Sequence, residues 1–257
     1  MSDFQSTTRF SDRVANYIRY RPGYPAELVT VIAKAAQLPT PAVVADIGSG
    51  TGISSELFLA RGDTVEAIEP NGPMREAAEA RFAGHPRFRS HRTTAEQTGL
   101  ADDSVDLIIA GQAFHWFEPA RTRTEFARIL KPGGHVALFW NERLTDATPF
   151  LQEYEQMLLE FSEDYEQVNH TRIDHEAIRQ FFGHASWVTR TFPNSQSFDF
   201  EGLQGRLLSS SYAPGKDHPR HAPMLAALRE LFDRRSRDGR VEFLYETNLY
   251  LGTLPVG

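Results

Sequence analysis

Between Val43 and Gly52 an apolar run, Val43-Val44-Ala45-Asp46-Ile47, ends on three glycines at alternate positions, Gly48, Gly50 and Gly52. A helical pattern follows from Ile53 to Ala60, then a second apolar run from Thr64 to Ile68 that ends in Glu69. The order reads as strand, tight turn, helix, strand, the first half of a nucleotide-binding α/β unit. Glycine at the turn lets the backbone take positive φ and leaves bare main chain for a ligand to approach.

The acids flanking the turn narrow the ligand. Glu69 stands about 20 residues after the first glycine, the position from which a carboxylate reaches a ribose diol. A dinucleotide turn is G-x-G-x-x-G and sets a helix N-terminus against a pyrophosphate. Here the spacing is G-x-G-x-G, and Asp46 precedes it by two residues. A carboxylate there repels a pyrophosphate and suits an ammonium. The block Asp46-Ile47-Gly48-Ser49-Gly50-Thr51-Gly52 resembles motif I of the class I S-adenosylmethionine-dependent methyltransferases, whose cofactor carries an ammonium, a ribose and an adenine but no phosphate. A glycine-rich turn without a ligand is the bland alternative.

The alternation of elements places this unit in a doubly wound, mostly parallel α/β sheet. Expected helices are Phe10–Tyr20, a segment from Pro25 to about Ala36, Pro73–Phe82 capped by Asn71, Arg121–Leu130 and Ala222–Phe232. Expected strands are Val43–Ile47, Thr64–Glu69, Arg87–His91, Val105–Ala110, His135–Trp140, Ser186–Phe192 and Val241–Leu251. Val105–Ala110, Val-Asp-Leu-Ile-Ile-Ala, has the apolar character of a strand covered on both faces. The resemblance implies a Rossmann-like sheet of seven strands whose last strand runs antiparallel. Residues 1–140 read as N-terminal helices and cofactor core, 141–183 as a helical lid rich in aromatics and acids, and 184–257 as completion of the sheet, all within one domain.

The resemblance also implies a cofactor site at the strand ends. Gly48, Ser49, Gly50 and Gly52 would form its floor and Asp46 would face the methionyl ammonium. Glu69, followed by Pro70, would hold the ribose, and Met74, Ala95 and Glu96 would border the adenine. Gln112 would meet the methionyl end and Arg21 the cofactor carboxylate. His115 is the candidate base, since histidine titrates near neutral pH. Tyr20, Trp116, Phe117 and Trp140 are candidate walls for the acceptor. Each of these aromatics, and Met74, equally suits core packing. Within the family, the pattern of Arg21-Pro22-Gly23-Tyr24-Pro25 with Gln112-Ala113-Phe114-His115-Trp116-Phe117 is closest to small-molecule enzymes of the ubiquinone/menaquinone and trans-aconitate type.

Composition sets the outer bounds. Lys plus Arg number 27 and Asp plus Glu 34, a net charge of −7, which disfavours nucleic acid and anionic membrane as partners. Arg234-Arg235-Ser236-Arg237 is the densest basic run and reads as a solvated helix face. The chain has no cysteine, so thiolate metal sites, disulfides and cysteine nucleophiles are absent. His170 and His175 are five apart and complete no metal motif. No 18-residue apolar run marks a membrane span, and Met1–Arg9 lacks the apolar core of a signal peptide. The expected protein is a cytoplasmic methyltransferase acting on a small molecule. The competing readings are an NAD-dependent oxidoreductase, for which Glu69 would also hold a ribose, and a non-catalytic binding protein on the same fold. No feature assigns an oligomeric state.

Overall fold

The computed structural model describes residues 18–162, 165, 175–210 and 212–254. Residues 18–20 are helical; the rest of the helix expected over Phe10–Tyr20 lies outside the described residues, as does His170. From α1 (Ala26–Ala35) the chain enters β1 (Val43–Ile47), α2 (Ile53–Arg61), β2 (Thr64–Ile68), α3 (Gly72–Arg81), β3 (Phe88–His91) and β4 (Val105–Gly111). A 3-10 turn, Phe114–Trp116, leads to α4 (Pro119–Ile129) and β5 (Leu130–Arg143). Then come α5 (Pro149–Phe161), α6 (His175–Phe182), β6 (Trp187–Phe198), α7 (Phe200–Leu208), α8 (His221–Arg235) and β7 (Val241–Gly252).

The strands form one seven-stranded sheet in the order β3-β2-β1-β4-β5-β7-β6. β3, β2, β1, β4 and β5 pair parallel, and β7 pairs antiparallel with both β5 and β6. The chain moves outward from β1 to β2 and β3, then returns to place β4 on the other side of β1. The carboxyl ends of β1 and β4 therefore flank a topological switch point, where open α/β sheets bind ligands.

Apolar clusters cover both faces. On one, Leu28 and Ile32 of α1 and Phe58 of α2 pack on Val44, Val65, Leu107 and Phe139. On the other, Phe126, Ile129, Ile178 and Phe181 pack on Ile108, Val136, Leu138 and Trp140. A third cluster joins α5, α7 and α8 to the far half of β7 through Leu151, Tyr154, Leu203, Leu228 and Phe243. Glu153 on α5 pairs with Arg234, at 3.1 Å, and with Arg235, which assigns the basic run of α8 to a helix–helix contact.

Several boundaries differ from the sequence expectation. β5 does not span His135–Trp140 alone: it begins at Leu130 and extends to Arg143, where it pairs with Tyr245. Lys131-Pro132-Gly133-Gly134 reads as a stop, yet it sits in a register shift between the Val105 and Leu107 pairings that absorbs the irregularity. The expected boundary at residues 140/141 consequently falls inside a strand, and α5 shares its core with α7, α8 and β7 rather than standing apart as a lid. β6 continues to Phe198, past the expected end at Phe192. α4 starts at Pro119 because the Glu118 side chain accepts from the Ala120 and Arg121 N–H groups. α7 has no counterpart in the sequence reading. Its two glycines argue against a helix, but a Cβ at Gly205 would lie 2.0 Å from the Tyr20 ring, so close packing requires the small residue.

Candidate active site

Gly48, Gly50 and Gly52 take φ of 69°, 55° and 82°, the left-handed region that favours glycine. The Gly48 and Ser49 N–H groups donate to the Ile68 carbonyl at 2.9 and 3.1 Å, which ties the turn to the end of β2. Gly52 caps α2, and a Cβ there would meet the Phe82 ring at 2.4 Å. A Cβ at Gly50 would meet nothing within 4 Å, so at this position the bare backbone faces open space.

Two acids hold the turn. Asp46 closes β1 with no exposed surface. Its Oδ2 accepts from the hydroxyls of Ser54 at 2.7 Å and Ser55 at 2.6 Å, anchoring the first turn of α2. Burial pushes its pKa up to about 6, against the two serine bonds that lower it. Glu69 lies at the end of β2, where Oε2 accepts from the Gly50 N–H at 2.9 Å and Oε1 from the Asn71 N–H at 2.7 Å. Burial raises the Glu69 carboxyl more than these N–H groups lower it, and the nearby Asp46 charge raises it further.

A cleft of about 460 Å³, open solvent included, lies over the switch point. Gly48–Thr51, Ile53 and Ser54 form one wall, Gly111, Gln112 and Asn141 another, and Arg21, Pro22 and Tyr24 lie across it. Gln112 holds φ of 57°, a strained value for a non-glycine residue, while its Oε1 accepts from the Asn141 N–H at 2.7 Å. The Asn141 Nδ2 donates to the Gly23 carbonyl at 2.9 Å and so fixes the crossing segment. A Cβ at Gly111 would lie 2.6 Å from the Tyr24 hydroxyl, which sets Tyr24 directly over the tip of β4.

The cleft gathers Arg21, Gly48, Ser49, Gly50 and Gln112 from the sequence-derived candidates. Glu69 joins it through Gly50, and Asp46 lies beneath the turn rather than in the cleft wall. Exposed Pro70 follows Glu69, and Met74 is buried, its N–H donating to Asn71 Oδ1 at 3.0 Å. Ala95 is buried. Glu96 Oε1 accepts from the Glu118 N–H at 2.9 Å, next to α4; although burial raises its carboxyl, this bond and its neighbours hold it below the usual range.

The aromatics separate. Tyr20 is buried in the third cluster. Trp140 is buried in the sheet core, edge-on to Phe114 and Tyr250 at 6.3 and 5.9 Å, because alternation along β5 turns it away from the face of Asn141. Half-buried Phe117 packs beside Gly48. His115 is exposed, with its ring 4.5 Å from that of Trp116, which is 49% exposed. Sequence reasoning passed over Tyr24, Thr51 and Asn141. Tyr24 lies within the Arg21–Pro25 segment already singled out, so its signal was present.

Three polar atoms decide what the turn can hold. Asp46 Oδ1, Ser49 Oγ and Thr51 Oγ1 are buried and have no hydrogen-bond partner among the described residues. Buried polar groups are rarely left unsatisfied, and these three surround the glycine turn. They fit a ligand that brings both donors and acceptors, as the methionyl portion of S-adenosylmethionine does. Among the described residues no group of three His, Cys, Asp or Glu could hold a metal ion, and no helix is long and apolar enough to cross a membrane.

Comparison with known proteins agrees with this geometry. Residues 45–138 match the model of a methyltransferase domain. An uncharacterized methyltransferase of Mycobacterium bovis is 38% identical over 134 residues, 52% of each chain, so the chain spans about half the length of this curated relative. The malonyl-[acyl-carrier protein] O-methyltransferase of Methylococcus capsulatus is 40% identical over 111 residues, 38% of this chain and 37% of that one. Among solved structures, a putative type II methyltransferase from Anaeromyxobacter dehalogenans superposes with a TM-score of 0.68 at 21% identity, covering 92% of this chain and all of that one.

Proposed function

We propose that this chain is a class I S-adenosylmethionine-dependent methyltransferase, which binds that cofactor at the glycine turn and transfers its methyl group to a small organic acceptor. The observation that carries the reading is the turn itself: open backbone at Gly50, the Glu69 carboxylate bonded to its N–H, and three unpartnered buried oxygens around it.

When bound, the cofactor supplies a methyl group already activated by a sulfonium. The protein then has mainly to hold, orient and exclude water. Glu69 still has acceptor capacity beyond its two backbone bonds and would take the ribose hydroxyls. Ser49 and Thr51 would satisfy the polar methionyl end, Asp46 would attract its ammonium from below, and Arg21 would meet its carboxylate. Buried Ala95 and Met74 are the proposed adenine border, with Glu96 beside Ala95 in sequence.

For the acceptor we assign the exposed edge of the 3-10 turn, where His115 and Trp116 stand beside Phe117 and the glycine turn. His115 is the proposed base for an acceptor that must lose a proton. Its ring lies on the exposed side of the turn, whereas Trp140 and Tyr20 are packed in cores and serve the walls only indirectly. The 40% identity over 111 residues to a malonyl-[acyl-carrier protein] O-methyltransferase supports the methyl-transfer reading. The test is calorimetry with S-adenosylmethionine and S-adenosylhomocysteine, followed by a turnover screen of the wild type and His115→Asn. Full turnover by the variant removes the base role.

A further inference from the structure

Beyond the cleft, the same face of the sheet continues into a buried cluster of guanidinium and phenol groups. Asn141 lines the cleft, and Arg143, two residues further along β5, projects to the same side. Arg143 pairs across the sheet with Tyr245 of β7. The Tyr245 hydroxyl donates to Gln196 Oε1 at 3.0 Å, and Gln196 Nε2 donates to the Tyr20 carbonyl at 3.2 Å, directly before Arg21. Arg21 itself lines the cleft and donates to the Ser209 carbonyl at 3.3 Å, at the end of α7. Hydrogen bonds thus link the segment that crosses the cleft to Tyr245 and Ser209 at the border of the third apolar cluster.

The charges there do not balance. Arg143 is paired with Glu155, and the Tyr165 hydroxyl bonds both, at 2.9 Å to Arg143 and 2.7 Å to Glu155. Its Nη1 is nevertheless buried without a partner among the described residues. Arg206, on α7, is only 5% exposed. Its Nη1 donates to Ser210 Oγ at 3.0 Å, but no described carboxylate lies within ion-pair distance and its Nε has no partner. Tyr154 is buried with its hydroxyl likewise unpartnered, under the Arg143 guanidinium at 5.2 Å from ring centroid. Two buried guanidiniums therefore share one carboxylate, and three donor atoms are left over. An uncompensated charge in such a place is costly, and aromatic rings, Tyr154 and Phe243, supply the rest of the lining. The Tyr212 phenol reports the same excess. Burial would raise it, but Arg206, Arg143, a hydrogen bond with the Ser210 side chain and Arg21 together hold it below the ordinary tyrosine range.

We propose that Arg206, Arg143 and the Tyr154 hydroxyl form the anion-binding end of the acceptor site, and that the acceptor has an apolar or aromatic body bearing a single carboxylate. One carboxylate balances the one excess positive charge and accepts from the three leftover donors. The carboxylate is the anchor, held by these donors, and the methyl-accepting atom is at the end nearer the glycine turn. This assignment rests on the methyltransferase reading of the cleft.

The experiment is calorimetric titration of the full chain, saturated with S-adenosylhomocysteine, with benzoate, phenylacetate and octanoate and with the primary amide of each. At least one carboxylate is expected to bind at least about tenfold more tightly than its amide, the equivalent of one charge-assisted hydrogen bond. Arg206→Met is expected to remove that preference, leave S-adenosylhomocysteine affinity within about twofold, and melt no lower than the wild type, because it deletes an unbalanced buried charge. Arg143→Met provides a second variant with the same loss of preference. Equal affinity for acids and amides, or an undiminished preference in both variants, overturns the anion site. A clear drop in melting temperature for Arg206→Met with binding intact assigns the cluster to structure and overturns it as well. Failure of S-adenosylhomocysteine to bind at all instead overturns the reading on which the site rests, and is seen before any acid is added.

Discussion

At the scale of single residues, Glu69 and Asp46 make separable contributions. Glu69 organises the turn through the Gly50 N–H, and in the proposed role its remaining lone pairs would take the ribose hydroxyls. Glu69→Ala should weaken S-adenosylmethionine binding by roughly 1.5–3 kcal/mol, the usual worth of hydrogen bonds to a charged group; unchanged affinity by calorimetry would reject the assignment. Asp46 predicts a pH dependence. Its pKa is higher in the folded chain than in the unfolded one, so the folded chain holds the extra proton between about pH 4 and about pH 6, and this group's contribution to stability falls as pH rises through that window. The rise from 3.8 to about 6 corresponds to about 3 kcal/mol. In the proposed role, ionised Asp46 would attract the cofactor ammonium, so cofactor affinity should increase over the same window while the unliganded protein becomes less stable. Denaturant titrations and calorimetry at about pH 4.5 and about pH 7 check both slopes, which Asp46→Asn should flatten; identical slopes in wild type and variant would remove Asp46 from the account. These acids are legible in the sequence because each adjoins its own strand end. Asn141 is not, because its role depends on a partner far along the chain: its bond to Gly23 spans 118 residues.

Among the elements, the strand–turn–helix from β1 to α2 is the one whose sequence and geometry agree at every position. β1, β2 and β4 are short, mostly apolar runs, each broken by one acid and buried along nearly their whole length, which is why they read clearly. β5 and α7 read poorly for a common reason. Lys131-Pro132-Gly133-Gly134 and the glycines of α7 are punctuation by local propensity, and tertiary contacts overrule them: the β4 pairing carries β5 through the first, and Tyr20 fills the space left by Gly205. Two substitutions in the turn should behave differently for the same kind of reason. Gly50→Ala meets no neighbour and should cost about 1–2 kcal/mol of stability, the strain of a left-handed alanine, while its methyl group obstructs the cofactor. Gly52→Ala adds a collision with Phe82 to that strain and should cost about 2–4 kcal/mol. Urea unfolding ranks them; equal costs would show that the turn relaxes freely and that its glycines are not separately required.

Over the whole molecule, the parallel half of the sheet supplies the glycine turn and the tip of β4 that line the cleft, while the antiparallel half packs with α5, α7 and α8 in the third cluster. The segment Arg21–Tyr24 joins the two halves through bonds to Asn141, Asn194 and Ser209. A motif confined to residues 46–69 therefore points to a cofactor but not to an acceptor: the proposed anion end draws on Arg143 of β5, Tyr154 of α5 and Arg206 of α7, three separate elements. The central claim is that the glycine turn is built for S-adenosylmethionine. It is tested most directly by calorimetric titration of the purified chain with S-adenosylmethionine, S-adenosylhomocysteine and NAD in parallel. The account predicts binding of the first two with dissociation constants on the order of micromolar, about −8 kcal/mol, and no heat from NAD. Binding of NAD alone, or of none of the three, would contradict it.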